Sequence, residues 1–238
     1  MTGSDKFRIK IPFDRWTPVR NDVIDEELGI LEEKRAGLVY LILYDRAWHR
    51  PSHAVSASMA ELSRWMGMDA RTVRKCIDEL EQRRLIRRIR HGVKHSHANK
   101  PCWRVPGTQF DLPEQAWTPV PRFLITKYCA AFPNAVLLVV LLRYQHMSWQ
   151  NKCWPGVRKL CTRTGWSPIR VRRALAMMGH ESRWRKLGMN LPRPMEISYS
   201  PDRKTRHYRV LAVSYQRQKK SRIMLVAPDF RERFKIPE

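Results

Sequence analysis

Acidic side chains are scarce in this chain: 22 Asp and Glu stand against 46 Lys and Arg in 238 residues, a formal net charge of +24. Such a bias says little about fold and much about partners, because it concentrates polyanions near the surface, nucleic acid first and anionic membrane second. Long apolar runs are missing as well. The longest, Ala135 to Leu142, has eight residues, far below the ~20 that a membrane helix needs. The first ten residues, with Asp5, Lys6, Arg8 and Lys10, hold no apolar signal-peptide stretch. A soluble, cytoplasmic chain with no membrane partner is the expectation.

Paired cysteines and catalytic motifs are also lacking. Cys76, Cys102, Cys129, Cys153 and Cys161 form an odd set without a CxxC spacing, which argues against a disulfide framework and fits free thiols in a reducing compartment. His91, His95, His97 and Cys102 do not show the paired spacing of a zinc site. Ser96 stands between His95 and His97, where the paired histidines of a rolling-circle nuclease want a bulky apolar residue. No phosphate-cradling glycine loop, GxSxG or HExxH occurs. The expectation is a protein that is no enzyme and uses no cofactor, metal or small-molecule ligand.

What the chain does have is a repeat. Ile11–Val19 reads IPFDRWTPV and Leu112–Val120 reads LPEQAWTPV, with the proline, the tryptophan and the Thr-Pro-Val all offset by 101. Behind each copy come an apolar helix, a second helix, a glycine turn, a third helix and a basic hairpin, in the same order. The offset is 101 for Trp48 and Trp149, and 98 for Gly67 and Gly165, Val73 and Val171, Arg74 and Arg172. The boundaries that follow are 1–108 and 109–238, the second carrying a C-terminal strand or tail over 214–238. Residues 1–108 hold 21 bases and 14 acids and residues 109–238 hold 25 and 8, so the second unit should supply more of the phosphate attraction. The early acids Asp22, Asp25, Glu26, Glu27, Glu32 and Glu33 read as a solvated face turned away from a polyanion.

Within the first unit, apolar spacing predicts a buried helix from about Leu31 to Trp48, then Ser58 capping a helix over Met59–Met66, Gly67 in the turn, and Asp69 capping a helix that buries Val73, Ile77 and Leu80. Leu85 to Arg90 and Cys102 to Val105 form the two sides of a basic hairpin. The second unit repeats this with AVLLVVLLRYQHMSW, a helix ending at Thr164, Gly165, then Ser167 as cap with Pro168 at the first helical position. Met195–Tyr199 and His207–Val213 make its hairpin. The nine tryptophans suit base stacking in principle, yet Trp16, Trp48, Trp65, Trp117, Trp149 and Trp166 recur at positions expected of core packing.

AELSRWMGMDARTVRKCIDELEQRRLIRRIR, from Ala60 to Arg90, resembles the winged helix-turn-helix superfamily, and GVRKLCTRTGWSPIRVRRALAMM, from Gly156 to Met178, is similar. The resemblance implies a mainly α, α+β fold with small β-hairpins: two tandem winged helix-turn-helix domains from an internal duplication. The layout is similar to that of theta-type plasmid replication initiators, at the level of architecture. In such folds the recognition helix enters the major groove and its outward side chains meet base edges. By helical period these are Arg71, Thr72, Arg74 and Lys75 in one copy and Ile169, Arg170, Arg172 and Arg173 in the other. The wing bases Arg87, Arg88, Arg90, Lys94 and Lys100, with Arg203, Lys204 and Arg206, are expected on phosphates or in a minor groove. The function expected is sequence-specific recognition of two half-sites on double-stranded DNA. The protein would then be a mobile-element replication initiator or a transcriptional regulator, nucleoid-associated and in contact with replication or transcription machinery. Non-specific DNA bridging or partner docking is the rival; RNA is disfavoured because its major groove admits no helix.

Overall fold

The computed structural model describes residues 16–29, 31, 35–50, 52–89, 100–106, 117–122, 124–128, 135–146, 152–179, 195–202 and 204–210. The first run of elements is β1 (Trp16–Arg20), a π-helical turn (Val23–Glu27), α1 (Ala36–Trp48), β2 (Ala54–Ser56), α2 (Met59–Met66), α3 (Ala70–Gln82), β3 (Arg87–Ile89) and β4 (Cys102–Arg104). The second is β5 (Trp117–Pro121), a π-helical turn (Leu124–Tyr128), α4 (Ala135–His146), α5 (Val157–Thr164), α6 (Pro168–Gly179), β6 (Met195–Tyr199) and β7 (Arg206–Val210). This is an α+β protein. The expected tail at 214–238 and strand residues 211–213, with Glu32, Glu33, Cys129 and Trp149, lie outside the described residues.

The duplicated tract builds the centre. The two WTPV copies pair with each other as antiparallel strands, Pro18 opposite Pro119, Trp16 opposite Pro121 and Arg20 opposite Trp117. Proline has no N–H, so the two prolines suit a non-hydrogen-bonded position and leave the exchanged bonds to Thr17 with Val120 and Val19 with Thr118. Pro18 and Pro119 are the same position of the repeat, so this register sets a local two-fold axis between the copies. The packing around it is reciprocal: α1 lies on β1 and on the second π-turn, α4 on β5 and on the first.

Both central helices are apolar on nearly every side, which is why they are interior. Residues 36–45 of α1 and 135–142 of α4 are buried, and α1 meets α4 where a Cβ on Gly37 would lie 3.0 Å from Val136 Cγ2. One hydrophobic cluster runs from Val19, Ile24 and α1 through Val120, Leu124 and α4 to the outer helices of both runs. Buried Asp45 joins the halves: it accepts from Thr17 Oγ1 at 2.5 Å and from Arg122 Nε at 3.1 Å. On the other side of the axis Thr118 Oγ1 donates to Asn21 Oδ1 at 2.7 Å.

Glu26 is exposed as expected of a solvated face, but Asp22 and Asp25 are engaged. Asp22 pairs with Arg20 and accepts from the Val23 amide at the start of the π-turn. Asp25 reaches across to Arg143 on α4 at 3.6 Å and to Arg163 on α5 at 3.2 Å. At the same junction Gly29 touches the end of α5 so closely that a Cβ would sit 2.2 Å from the Arg163 carbonyl oxygen.

Candidate nucleic-acid interface

The α2–α3 pair is locked at each corner by side chains. Ser58 and Glu61 form a reciprocal capping box, with Ser58 N donating to Glu61 Oε2 at 2.7 Å and Glu61 N to Ser58 Oγ at 3.2 Å. Gly67 makes the turn at φ 59, a left-handed conformation that favours glycine. Asp69 then accepts from the Thr72 amide at 2.8 Å. Val73, Cys76, Ile77 and Leu80 of α3 are buried, and Arg71, Arg74 and Lys75 stand exposed on the opposite face. Thr72 departs from expectation. Its hydroxyl donates to Asp69 Oδ2 at 2.7 Å, so at this half-buried position it completes the cap. That bond is the first cause of the lowered Asp69 pKa.

The α5–α6 pair repeats the frame. Gly165 turns at φ 61, the Ser167 hydroxyl accepts from the Arg170 amide at 3.4 Å, and Val171, Ala174, Leu175 and Met178 are buried. Arg172 and Arg173 are exposed, and Ile169 is 60% exposed at the second helical position. Arg170 corrects the outward assignment: its guanidinium lies 3.9 Å from the Trp166 ring centroid, half-buried, where desolvation lowers its pKa. α5 begins at Val157, with Gly156 as its N-cap.

The hairpins flank these helices. β4 lies between β2 and β3, and Arg87 faces Arg104 directly across the strands, both exposed. Like charges so placed repel, and an anion between them relieves it. Arg88 is exposed opposite Trp103, whose indole N–H donates to Glu81 on α3 at 2.9 Å. Lys100, expected on phosphate, instead donates to Glu61 Oε1 at 2.8 Å and ties the hairpin to α2. In the other hairpin Lys204 and Arg206 are exposed, and the Lys204 amide donates to Asp202 Oδ1 at 3.1 Å. Arg90, Lys94, Arg203, His91, His95 and His97 lie outside the described residues; Cys102 is buried, and no group of metal-ligating side chains occurs among the described residues.

Among the exposed bases outside the recognition-helix and wing positions are Arg104 on β4, and Arg158 and Lys159 at the start of α5. The signal for Arg104 was its match to Arg209 in the repeat; for the other two it was an α5 sequence, VRKLCTRT, without an acid. Trp103, Trp117 and Trp166 are buried as core packing requires, whereas Trp154 is 50% exposed and lies against His207.

Residues 33–86, spanning α1 to the end of the α3 turn, match a family model described as a helix-turn-helix domain. No curated protein matches the chain. These residues therefore form a helix-turn-helix domain, which suggests DNA as a partner. Among the described residues no helix is long and apolar enough to cross a membrane.

Proposed function

We propose that this chain is a sequence-specific double-stranded DNA-binding protein. In this reading it is two winged helices, 1–108 and 109–238, that engage two half-sites of one operator or origin. The observation that carries it is the match between the two outer faces: Arg74 and Lys75 on α3, and Arg172 and Arg173 on α6, are exposed at equal distances from their caps. The wing bases Arg87, Arg88 and Arg206, joined by Arg104 and Arg158, supply phosphate contacts that hold register without reading sequence. In this reading the chain is a constitutive DNA binder. It acts by binding and not by catalysis, as an initiator of mobile-element replication or a regulator set by its own abundance. Docking of replication or transcription proteins follows from either role.

The experiment is selection of the full chain against a random duplex library at near-physiological salt, followed by anisotropy titration of the winning duplex and of a scrambled one. An enriched bipartite motif with half-sites about one helical turn, ~10 bp, apart supports the reading. Arg74→Ala and Arg172→Ala should each lower affinity for the selected duplex by about 10-fold, in line with ~1–3 kcal/mol per base contact, while scarcely changing the scrambled one. Equal loss on both duplexes defeats the assignment of base readout, and binding that is purely salt-driven with no motif favours DNA bridging.

A further inference from the structure

We infer that the DNA site of this chain is an imperfect inverted repeat, whose halves differ at the base pair met by Arg71 in one half and by Ile169 in the other. This rests on the DNA-binding reading above and adds to it the symmetry of the site and one position of its sequence.

The symmetry comes from the centre of the molecule. Two copies strung head to tail have no shared centre, yet here the duplicated strands pair antiparallel with equivalent residues, Pro18 and Pro119, face to face. The relation extends outward, because α1 and α4 each pack on their own strand and on the π-turn of the other copy. One continuous core joins both central helices to α3 and α6, with α1 packed directly on α3 and α4 packed on α5 and β7. Two units related by a two-fold axis present their recognition helices in opposite senses. B-DNA offers a matching two-fold axis between inverted half-sites, and symmetric readers use it with half-sites about one turn apart.

The inequality comes from the reading faces. Counting from Asp69 and from Ser167, the fifth helical residues are both arginine, Arg74 and Arg172, and the sixth are Lys75 and Arg173. The second helical residues differ: Arg71, exposed, against Ile169, 60% exposed. Arginine pairs bidentately with guanine O6 and N7, whereas an apolar side chain at a base edge meets the C5-methyl of thymine. Both halves therefore share a guanine beneath Arg74 and Arg172, and carry guanine in one and thymine in the other beneath Arg71 and Ile169.

The selection is repeated with Ile169→Arg, a surface change that leaves the core untouched, and duplexes carrying the selected half-sites in inverted and direct order compete for the native chain. An inverted motif, with inverted order preferred by at least about 10-fold over direct order, is expected. So is a switch from thymine to guanine at the one distinguishing position in Ile169→Arg, which makes the halves alike. A direct-repeat motif, or one chain holding two separate duplexes, overturns the symmetry. An unchanged preference in Ile169→Arg overturns the base assignment. Failure of the native chain to enrich any motif is a different result, since it removes the sequence-specific reading itself before symmetry is tested.

Discussion

The α2–α3 and α5–α6 pairs share a frame and differ in what holds it. The first is braced by its own side chains: a capping box at Ser58, Lys100 reaching Glu61 from the hairpin, and a third strand, β2, paired with β4. The second has Gly156 as an N-cap with no side-chain bond and, in place of β2, a single bridge from Cys153 to Tyr208. Its bracing comes from the other half instead, through the Asp25 ion pairs and the backbone approach of Gly29 to Gly165. Close pairing of the two halves lets α5–α6 lean on contacts from the other half where α2–α3 uses its own. Charge diverges in the same way: α3 keeps Asp78, Glu79 and Glu81, whereas α6 has no acid at all.

Substitution of the two turn glycines separates the two kinds of support. Gly67→Ala meets the left-handed strain, which costs about 1–2 kcal/mol. Gly165→Ala meets the same strain and also sets a Cβ 2.1 Å from the Gly29 carbonyl oxygen, so backbone must move and the loss should reach ~3–5 kcal/mol. Urea denaturation of both variants checks the difference; equal losses would mean that the Gly29 contact braces nothing. Asp45→Ala comes next, at about 2 kcal/mol. It strands the Thr17 hydroxyl and Arg122, but Arg122 is 42% exposed and keeps much of its hydration, so the loss falls below that of a fully buried pair. Asp25→Ala should cost less, ~1 kcal/mol, because Asp25 and both of its partners, Arg143 and Arg163, see water. Its signature is regional: amide exchange should quicken in α5 and stay unchanged in α2, and uniform quickening would rule out the buttress.

Local chemistry made much of this legible from sequence. Ser58, Asp69 and Ser167 act as helix caps where their spacing puts them, and Met195–Tyr199 is a strand over those same residues. Non-local chemistry did not show itself. A tract centred on proline has poor strand propensity, so nothing in WTPV announces that two copies 101 residues apart pair with each other. Three-residue β2 exists only because β4 lies beside it. α1 starts at Ala36, later than the apolar spacing from Leu31 suggests. In the candidate site, helical period correctly turns Arg71, Arg74, Ile169 and Arg172 outward. It cannot foresee that Asp69, Trp166 and Glu61 capture Thr72, Arg170 and Lys100.

Acid should distinguish the halves by the smallest of these effects. The hydrogen bond from Lys100, followed by those of Ser58, holds the Glu61 carboxyl down at about 2, below its ordinary 4.5. A depressed carboxyl contributes its support above the unfolded-state value and loses it as pH falls toward the folded one, so the window runs from roughly pH 4.5 down to about 2. Through it the capping box and the Lys100 link should release together. The Ser58 amide resonance should titrate with the Glu61 carboxyl, and Glu61→Gln should abolish that titration while keeping part of the cap. The start of α5 has no acid in its first turn and no side-chain cap, so its amides should not follow the same curve. Parallel titration at Ser58 and at the head of α5 would show that acid loosens the shared core and not the Ser58 cap alone.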